Sequence, residues 1–204
     1  DFFDLLSLNM KQFKDVRSFK QLLGEKNETI HAQLKKTIET ARLQNGDSSQ
    51  DGESLSVITL DNFFENQRDI ILPKLLKIDT DGYDMKIVRG GLSYVKEVKP
   101  VIFLEYDPIF FAEQGDNGVD TLYILEKLGY EDIIFYDNVG KLIISGKLSN
   151  HLFLKQMNNY IDPKSRAPFP YYDIAVFHKE DTDIAQNFVA REMEFFYNNQ
   201  YYAK

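Results

Sequence analysis

The sequence predicts an α/β fold with a doubly wound, mainly parallel β-sheet. Two short and nearly continuous apolar runs, 75-LLKI-78 and 101-VIFLEY-106, are typical of strands that are buried on both faces of a sheet. Stretches with helical periodicity follow these runs, and this alternation indicates parallel strands that are joined by helical crossovers. The turn sequence 137-DNVG-140 between two β-rich runs adds an antiparallel hairpin near the C-terminus.

The N-terminal third of the chain is predicted to hold short elements. Apolar residues recur at helical spacing in 1-DFFDLLSLNM-10, which predicts a helix. Alternating or apolar stretches predict four strands, at 16–24, 29–34, 39–43 and 55–60. A short helix is predicted at 62–66. Asp61 is its expected N-cap, because an aspartate there accepts a hydrogen bond from the first turn.

The remaining chain predicts longer helices and one more strand. Helical periodicity indicates a single helix from Tyr83 to Val95 and further helices at 119–129, 149–159 and 181–199. A strand is predicted at 173–178, after a loop at 160–173 that holds three of the six prolines. This loop is interpreted as a lid over a substrate, as a contact for a partner, or as a packed surface loop.

The composition sets broad limits on function. A chain of 204 residues, 43% of them hydrophobic, fits a single domain, 1–204, that can bury a core. The net charge of -8 argues against a nucleic-acid partner, because phosphates require basic side chains. The chain has no cysteine, which excludes disulfides and cysteine-ligated zinc. No apolar run reaches the length of a membrane span and no signal peptide is visible, so we expect a cytoplasmic protein.

Three carboxylates cluster in 79-DTDGYD-84, directly after an apolar strand. A calcium loop fits poorly, because its later ligand positions would fall on Tyr83 and Gly90. An Asp-x-Asp motif at Asp79 and Asp81 is compatible with a metal-dependent glycosyltransferase. A strand-to-helix turn in a parallel sheet is compatible with a ligand crevice, since open α/β sheets bind ligands at the carboxyl ends of their strands. The remaining interpretation is that all three carboxylates are helix caps and solvated turn residues.

The next apolar strand repeats this arrangement with Glu105 near its end. If the two strands are parallel neighbours, Asp79 and Glu105 line one crevice. Carboxylates there accept hydrogen bonds from a ligand or act as a general base. The three histidines, His31, His151 and His178, are too far apart in sequence to suggest metal-ligand spacing. Each histidine is therefore interpreted as a structural or surface residue, and nothing in the sequence requires a metal.

The same region carries short motifs in a defined order. They are a strand that ends in Lys-Ile-Asp, an acidic helix entry with glycine, two glycines after the helix, and a Lys-Pro pair before a strand with glutamate at its end. The residues on these motifs are Lys77, Ile78, Asp79, Asp81, Gly82, Asp84, Gly90, Gly91, Lys99, Pro100 and Glu105. Together with 57-VITLDNFF-64 and 22-LLGEKNET-29, they resemble the FkbM-type family of S-adenosylmethionine-dependent methyltransferases. The resemblance covers residues 1–110.

This resemblance implies a Rossmann-like methyltransferase sheet and methyl transfer, usually to a hydroxyl oxygen of a small molecule or glycan. It implies that Asp79 lies beside the methionine end of S-adenosylmethionine and that Glu105 lies near the reaction centre. Cofactor binding would also involve the turn after an early strand, at Leu23, Gly24 and Glu25. On the substrate side the implied residues are Thr40, Arg42 and Asp81.

One departure from the family pattern concerns the cofactor. The sequence contains no Gly-x-Gly, although such methyltransferases bind the cofactor at a glycine-rich first turn. We therefore expect a domain that lacks its first strands, is N-terminally incomplete, and as this fragment binds the cofactor weakly and is inactive. Its exposed sheet edge is expected to be buried against a partner or a second copy, and fused domains are possible. The alternatives are an Asp-x-Asp glycosyltransferase and a non-catalytic binding module that kept the fold.

Overall fold

The computed structural model describes residues 2–36, 41–45, 53–67, 69–161, 167 and 169–198. The α-helices of these residues are α1 Phe2–Met10, α2 Leu60–Glu65, α3 Asp84–Arg89, α4 Leu92–Val98, α5 Pro108–Glu113, α6 Gly118–Lys127, α7 His151–Tyr160 and α8 Thr182–Asn198. The strands are β1 Leu22–Gly24, β2 Glu28–Lys36, β3 Ala41–Asn45, β4 Glu53–Thr59, β5 Leu75–Ile78, β6 Val101–Tyr106, β7 Tyr130–Asp137, β8 Leu142–Lys147 and β9 Tyr172–His178. The predicted mixture of helices and strands is thus confirmed.

The strands form two sheets. The first has the order β1-β4-β2-β3, and the second has the order β5-β6-β9-β7-β8. Strand pairs β1/β4 and β5/β6 are parallel, whereas the pairs β2/β3, β2/β4, β6/β9, β7/β8 and β7/β9 are antiparallel. The predicted C-terminal hairpin is confirmed as β7 and β8.

The prediction of a mainly parallel sheet was wrong. Strand β9 lies between β6 and β7 and runs antiparallel to both, so β6 and β7 point in the same direction. Its residues are almost all buried, because apolar side chains cover both of its faces. An apolar strand sequence therefore indicates that both faces of the strand are buried, but it does not indicate the direction of the neighbouring strands. The predicted strand at 16–24 is also shorter than expected, since only Leu22–Gly24 pairs with β4.

The predicted helix from Tyr83 to Val95 is split into α3 and α4. The split occurs at Gly90 and Gly91, where the chain passes close to other elements: a Cβ on Gly90 would lie 2.1 Å from the carbonyl oxygen of Gly24. Asp61 accepts hydrogen bonds from the backbone N–H groups of Ser93 (3.0 Å) and Tyr94 (2.9 Å) in the first turn of α4. The prediction that Asp61 caps the helix at 62–66 was therefore wrong.

The cap of α2 is Thr59 instead, whose hydroxyl accepts a hydrogen bond from the N–H of Asn62 at 3.0 Å. A threonine before the helix is one of the preferred N-cap residues. Because α2 does not need Asp61 as its cap, the Asp61 carboxylate can instead cap α4, which begins about 30 residues later in the chain. This contact fixes the start of α4 against the first turn of α2.

Helices pack on both faces of the five-stranded sheet. Burial alternates along β6, and Ile102, Leu104 and Tyr106 lie in the main core. Helices α3, α4 and α6 contribute apolar side chains to the same core, among them Met85, Val95, Leu122 and Leu125. A smaller cluster on the other face holds Ile134, Ala175 and Phe177 together with Ala185 of α8. Val101 and Phe103 pack at the margin of this smaller cluster, so the same face of β6 also carries Glu105.

Within the described part of the chain, no helix has the length and apolar character needed to cross a membrane.

Candidate functional site

The acidic turn after β5 has an unusual backbone. Asp81 and Gly82 both have positive φ, at 49° and 105°. Aspartate tolerates the left-handed region better than most residues, and glycine enters it freely. A Cβ on Gly82 would lie 2.6 Å from the carbonyl oxygen of Phe110, so the turn packs closely against α5. The two residues reverse the chain between the end of β5 and the start of α3.

Asp84, the first residue of α3, anchors this turn from inside. Only 1% of its surface is exposed. Its Oδ2 accepts hydrogen bonds from the Thr80 hydroxyl (3.1 Å) and the Gly82 N–H (3.2 Å). Burial raises the pKa of its carboxyl, and hydrogen bonds from the backbone of Asp84 itself, from Thr80 and from Gly82 oppose the rise. Its Oδ1 is buried and has no hydrogen-bond partner among the described residues.

Asp79 and Glu105 lie side by side at the carboxyl ends of two parallel strands. The register of β5 and β6 pairs Ile78 with Leu104, and Asp79 and Glu105 are the next residues of the two strands. β5 and β6 are thus parallel neighbours, which is the condition under which the sequence predicts that Asp79 and Glu105 line one crevice. Asp79 is 59% exposed and forms an ion pair of 2.9 Å with Lys77, which is itself 59% exposed on the edge strand β5.

Glu105 has a perturbed carboxyl. Burial raises its pKa to about 8, and four neighbouring carboxylates add to the effect, in decreasing order Asp79, Asp84, Asp107 and Asp81. Asp107 is 3% exposed and caps α5 by accepting hydrogen bonds from Ile109 (2.8 Å) and Phe110 (3.2 Å). A carboxyl group with a pKa near the working pH is suited to accept and release a proton.

The structure adds Asp173, which sequence reasoning missed. Asp173 is the direct register partner of Glu105 across β6 and β9, so both side chains lie on the same face of the sheet. Burial raises the pKa of its carboxyl, and Asp79 adds to this rise. The strand at 173–178 was predicted, but its direction was not. Only an antiparallel β9 brings its N-terminal end to the carboxyl end of β6.

The predicted cofactor residues lie at a second place. Gly24 ends β1, and Glu25 follows it in a turn. Both line a cavity of about 580 Å³, together with Tyr83 and Lys86. Leu23 packs against the main core. Tyr83, which lines this cavity, directly follows the acidic turn and precedes α3.

The predicted substrate residues are only partly described. Asp81 lies in the acidic turn and acts electrostatically on Glu105. Thr40 lies outside the described residues, and of Arg42 only the backbone, in β3, is described. Residues 162–166 and 168 of the predicted loop also lie outside them. Among the described residues, no group of three or more His, Cys, Asp or Glu side chains is placed to hold a metal ion.

Arg89 connects the turn at Glu25 to the rest of the fold. Its guanidinium donates to both carboxylate oxygens of Asp116 (3.1 and 2.8 Å), to Glu25 (2.9 Å) and to the hydroxyl of Thr121 (2.6 Å). The side chains of Arg89 and Asp116 are 14% and 7% exposed. A bidentate arginine–carboxylate pair with so little solvent contact is strongly oriented.

We expect Arg89→Met to lower the free energy of unfolding by about 3 kcal/mol, because it leaves the Asp116 carboxylate buried without its partner. Urea unfolding measures this loss. Lys147→Met is the matched control, since Lys147 is 47% exposed in its ion pairs with Glu131 and Asp132, and such pairs contribute at most about 1 kcal/mol. Equal losses in the two variants would contradict the role of Arg89.

Comparison with known proteins identifies the family. A family model described as the methyltransferase FkbM domain matches residues 14–131, more than half of the 204 residues. No curated protein and no solved structure matches the chain. The matched range holds the turn at Gly24 and Glu25, the acidic turn and Glu105, and the resemblance seen in the sequence is confirmed. The chain therefore belongs to the family of methyltransferase FkbM domains.

Proposed function

We propose that this domain belongs to an S-adenosylmethionine-dependent methyltransferase that methylates a hydroxyl oxygen of a small molecule or glycan. The five-stranded sheet is then the closing part of a Rossmann-like methyltransferase sheet, and β5 is the strand at its open edge. The observation that carries the proposal is the pair Asp79 and Glu105 at the carboxyl ends of parallel strands. That is the position at which open α/β sheets bind ligands.

The cofactor fits the described residues in part. The cavity beside Gly24 and Glu25 has room for a planar group, at about 580 Å³. The orphaned buried oxygen of Asp84 and the carboxylate of Asp79 suit the ammonium group of the methionine end. When bound, S-adenosylmethionine supplies an electrophilic methyl group. What the 204 residues lack is a Gly-x-Gly segment, so we propose weak binding and no turnover by these residues alone.

Glu105 is the proposed proton acceptor. A hydroxyl oxygen becomes a better nucleophile as its proton is transferred to a base, and a positioned carboxylate contributes roughly 10²–10⁴-fold to such steps. The pKa of Glu105 is raised to about 8, so the ionised, basic form increases as the pH rises through this value. Asp79 and Asp81 both lie near Glu105. Through hydrogen bonds, Asp79 orients the cofactor and Asp81 orients the acceptor.

Binding of S-adenosylhomocysteine, followed by nuclear magnetic resonance, tests this proposal without requiring turnover. We expect millimolar binding that shifts the amide signals of Gly24, Asp79 and Tyr83. Asp79→Asn should weaken binding at least about 10-fold, because it removes a charge-assisted hydrogen bond. The exposed ion pair of Asp79 contributes little stability, so the variant should remain folded.

Glu97→Gln, an exposed substitution on α4, is the control and should bind S-adenosylhomocysteine as the unchanged chain does. No shift at millimolar ligand, or equal binding by Asp79→Asn, would contradict the proposal. Manganese-dependent binding of a nucleotide sugar that requires Asp81 would favour the glycosyltransferase alternative instead.

A further inference from the structure

The cavity beside Gly24 and Glu25 is bounded by three parts of the chain, and Arg89 joins them. These parts are the turn after β1, the start of α3 and the end of α5. Arg89 lies at the end of α3 and donates to Glu25 in the β1 turn (2.9 Å). It also donates to both carboxylate oxygens of Asp116, shortly after α5 (3.1 and 2.8 Å). This network therefore fixes the relative positions of the cavity walls.

The Glu25 carboxylate has a defined orientation at this cavity. It is 40% exposed, but its Oε2 is held by Arg89, which is itself 14% exposed and bound at two points to Asp116. A second contact fixes the backbone of the same turn, since the carbonyl of Gly24 packs against Gly90. A carboxylate offers about four acceptor positions and no donor. Glu25 can therefore accept a hydrogen bond from a ligand while it remains bound to Arg89.

Helix α3 indicates which end of the proposed cofactor lies at Glu25. The helix begins with Asp84, beside the acidic turn to which the methionine end is assigned, and it ends with Arg89. Its six residues rise roughly 9 Å, and Lys86 in its middle lines the cavity. In S-adenosylmethionine, the adenine ring is at the opposite end from the methionine ammonium group. A cofactor that follows α3 from the acidic turn therefore brings its adenine to Glu25.

We propose that Glu25 recognises the adenine ring of the cofactor by accepting a hydrogen bond from its 6-amino group, and that Arg89 positions the Glu25 carboxylate for this contact. The inference rests on the proposed function, and it adds the residue that determines the specificity for the base and the residue that positions it. A site built to bind a donor group discriminates against an analogue that lacks this group, because the polar side chain is then left without its partner.

Adenosine and purine riboside, which differ only in the 6-amino group, test the inference. Each nucleoside is titrated into the 204-residue chain, and the amide signals of Glu25 and Tyr83 are followed by nuclear magnetic resonance. We expect adenosine to bind at least about 5-fold more tightly than purine riboside, because a carboxylate forms a charge-assisted hydrogen bond with the amino group. Equal binding of the two nucleosides, or no adenosine binding by a chain that binds S-adenosylhomocysteine, would overturn the inference.

Variants of the cavity glutamates test which carboxylate recognises the base. Glu25→Ala should reduce the preference for adenosine to less than about 2-fold, whereas Glu25→Gln should keep part of it, because the amide oxygen still accepts a hydrogen bond. Glu28 lines the same cavity, and Glu28→Gln is the matched control that should leave the preference unchanged. A preference that is lost in Glu28→Gln and kept in Glu25→Ala would assign recognition to Glu28 and contradict the inference.

Two further variants test the positioning role of Arg89. Arg89→Lys keeps the charge but loses the planar fork that binds Asp116 and Glu25 together. It should lower adenosine affinity at least about 3-fold and leave the affinity for purine riboside unchanged, whereas a purely structural role would weaken both nucleosides equally. Glu25→Asp decides the question if a thermal melt shows that Arg89→Lys is unfolded. Its carboxylate is too short to contact Arg89 and the base together, so an unchanged preference would refute the positioning role.

The proposed function and this inference fail in different ways. If S-adenosylhomocysteine binds in an Asp79-dependent manner but adenosine and purine riboside bind equally, the methyltransferase proposal stands and the role of Glu25 is wrong. If adenosine is preferred in a Glu25-dependent manner but no S-adenosylhomocysteine binds, the cavity is an adenine site and the methyltransferase proposal fails.

Discussion

Replacing Gly90 with alanine is expected to lower the free energy of unfolding by about 3 kcal/mol. The added Cβ would lie 2.1 Å from the carbonyl oxygen of Gly24 and 3.1 Å from its carbonyl carbon. Both atoms belong to the backbone of β1, so neither can move by a change of rotamer. The carbonyl of Gly90 also accepts a hydrogen bond from the N–H of Asp61 at 3.0 Å, and a shift of the chain would strain that contact.

The backbone conformation of Gly90 shows which interaction would cause this loss of stability. Gly90 has φ -73° and ψ -7°, a conformation in which alanine would by itself be more stable than glycine by roughly 0.5–1 kcal/mol. Any destabilisation must therefore come from the contact with β1. Gly91→Ala is the neighbouring control: its Cβ would meet side-chain atoms of Leu60 at 2.9 Å, and a leucine can adjust its rotamer.

We expect Gly91→Ala to lose less than about 1.5 kcal/mol, since a side-chain clash relaxes more easily than a backbone clash. Urea unfolding of the two variants measures the difference. If Gly90→Ala is as stable as the unchanged chain, β1 does not pack against the end of α3. The cavity beside Gly24 and Glu25 would then lack its observed wall, and the proposed cofactor side would have to be placed elsewhere.

The pair of glycines also shows what the sequence could and could not predict. Gly90 and Gly91 were recognised as part of a family motif, but the local pattern still predicted one helix from Tyr83 to Val95. Apolar spacing continues through both glycines, and only the approach of β1, which is 66 residues away from Gly90 in the sequence, explains why the helix breaks there. Tertiary contacts of this kind override helical periodicity.

The candidate site was predictable where it depends on residues close in sequence. Asp79 and Glu105 each follow or end an apolar run, and the inference that they meet required only that the two strands be parallel neighbours. Asp173 was not predictable in this way, because its place depends on β9 entering between β6 and β7. Strand order and direction are set by how the chain returns to the sheet, and hydrophobic patterning does not contain that information.

The same reasoning explains the false cap. Asp61 precedes a helical stretch and has the right side chain, so local rules assign it to α2. In the fold, Thr59 already satisfies α2, and the Asp61 carboxylate reaches the first turn of α4. Local rules identify residues that can cap a helix, whereas the tertiary structure decides which helix receives the cap.

The second large effect concerns the charge state of Glu105. Its pKa is raised to about 8 in the folded chain from the ordinary value of 4.5, chiefly by burial and then by neighbouring carboxylates. The folded state therefore holds a proton that the unfolded state releases between these two values. Stability must then fall as the pH rises through this range, because the folded state has to ionise a half-buried carboxyl.

Glu105→Gln removes this penalty while keeping a side chain of similar shape. We expect the variant to match the unchanged chain near pH 4.5 and to exceed its stability near pH 8.5 by on the order of 2 kcal/mol, a value reduced from the full pKa shift because solvent screens the group in part. Urea unfolding at a series of pH values measures the difference. The exposed Glu97→Gln should show no such pH-dependent gain.

The same substitution should have the opposite effect on function, and this contrast identifies a site residue. A glutamine cannot accept a proton from an acceptor hydroxyl, so methyl transfer by any chain that shows turnover should fall by about 10²–10⁴-fold. A stabilising substitution that removes activity is typical of a residue kept at a cost to stability. If Glu105→Gln instead gives no gain in stability near pH 8.5, ionisation of Glu105 costs the folded state nothing, and the assignment of Glu105 as a base that titrates near pH 8 is wrong.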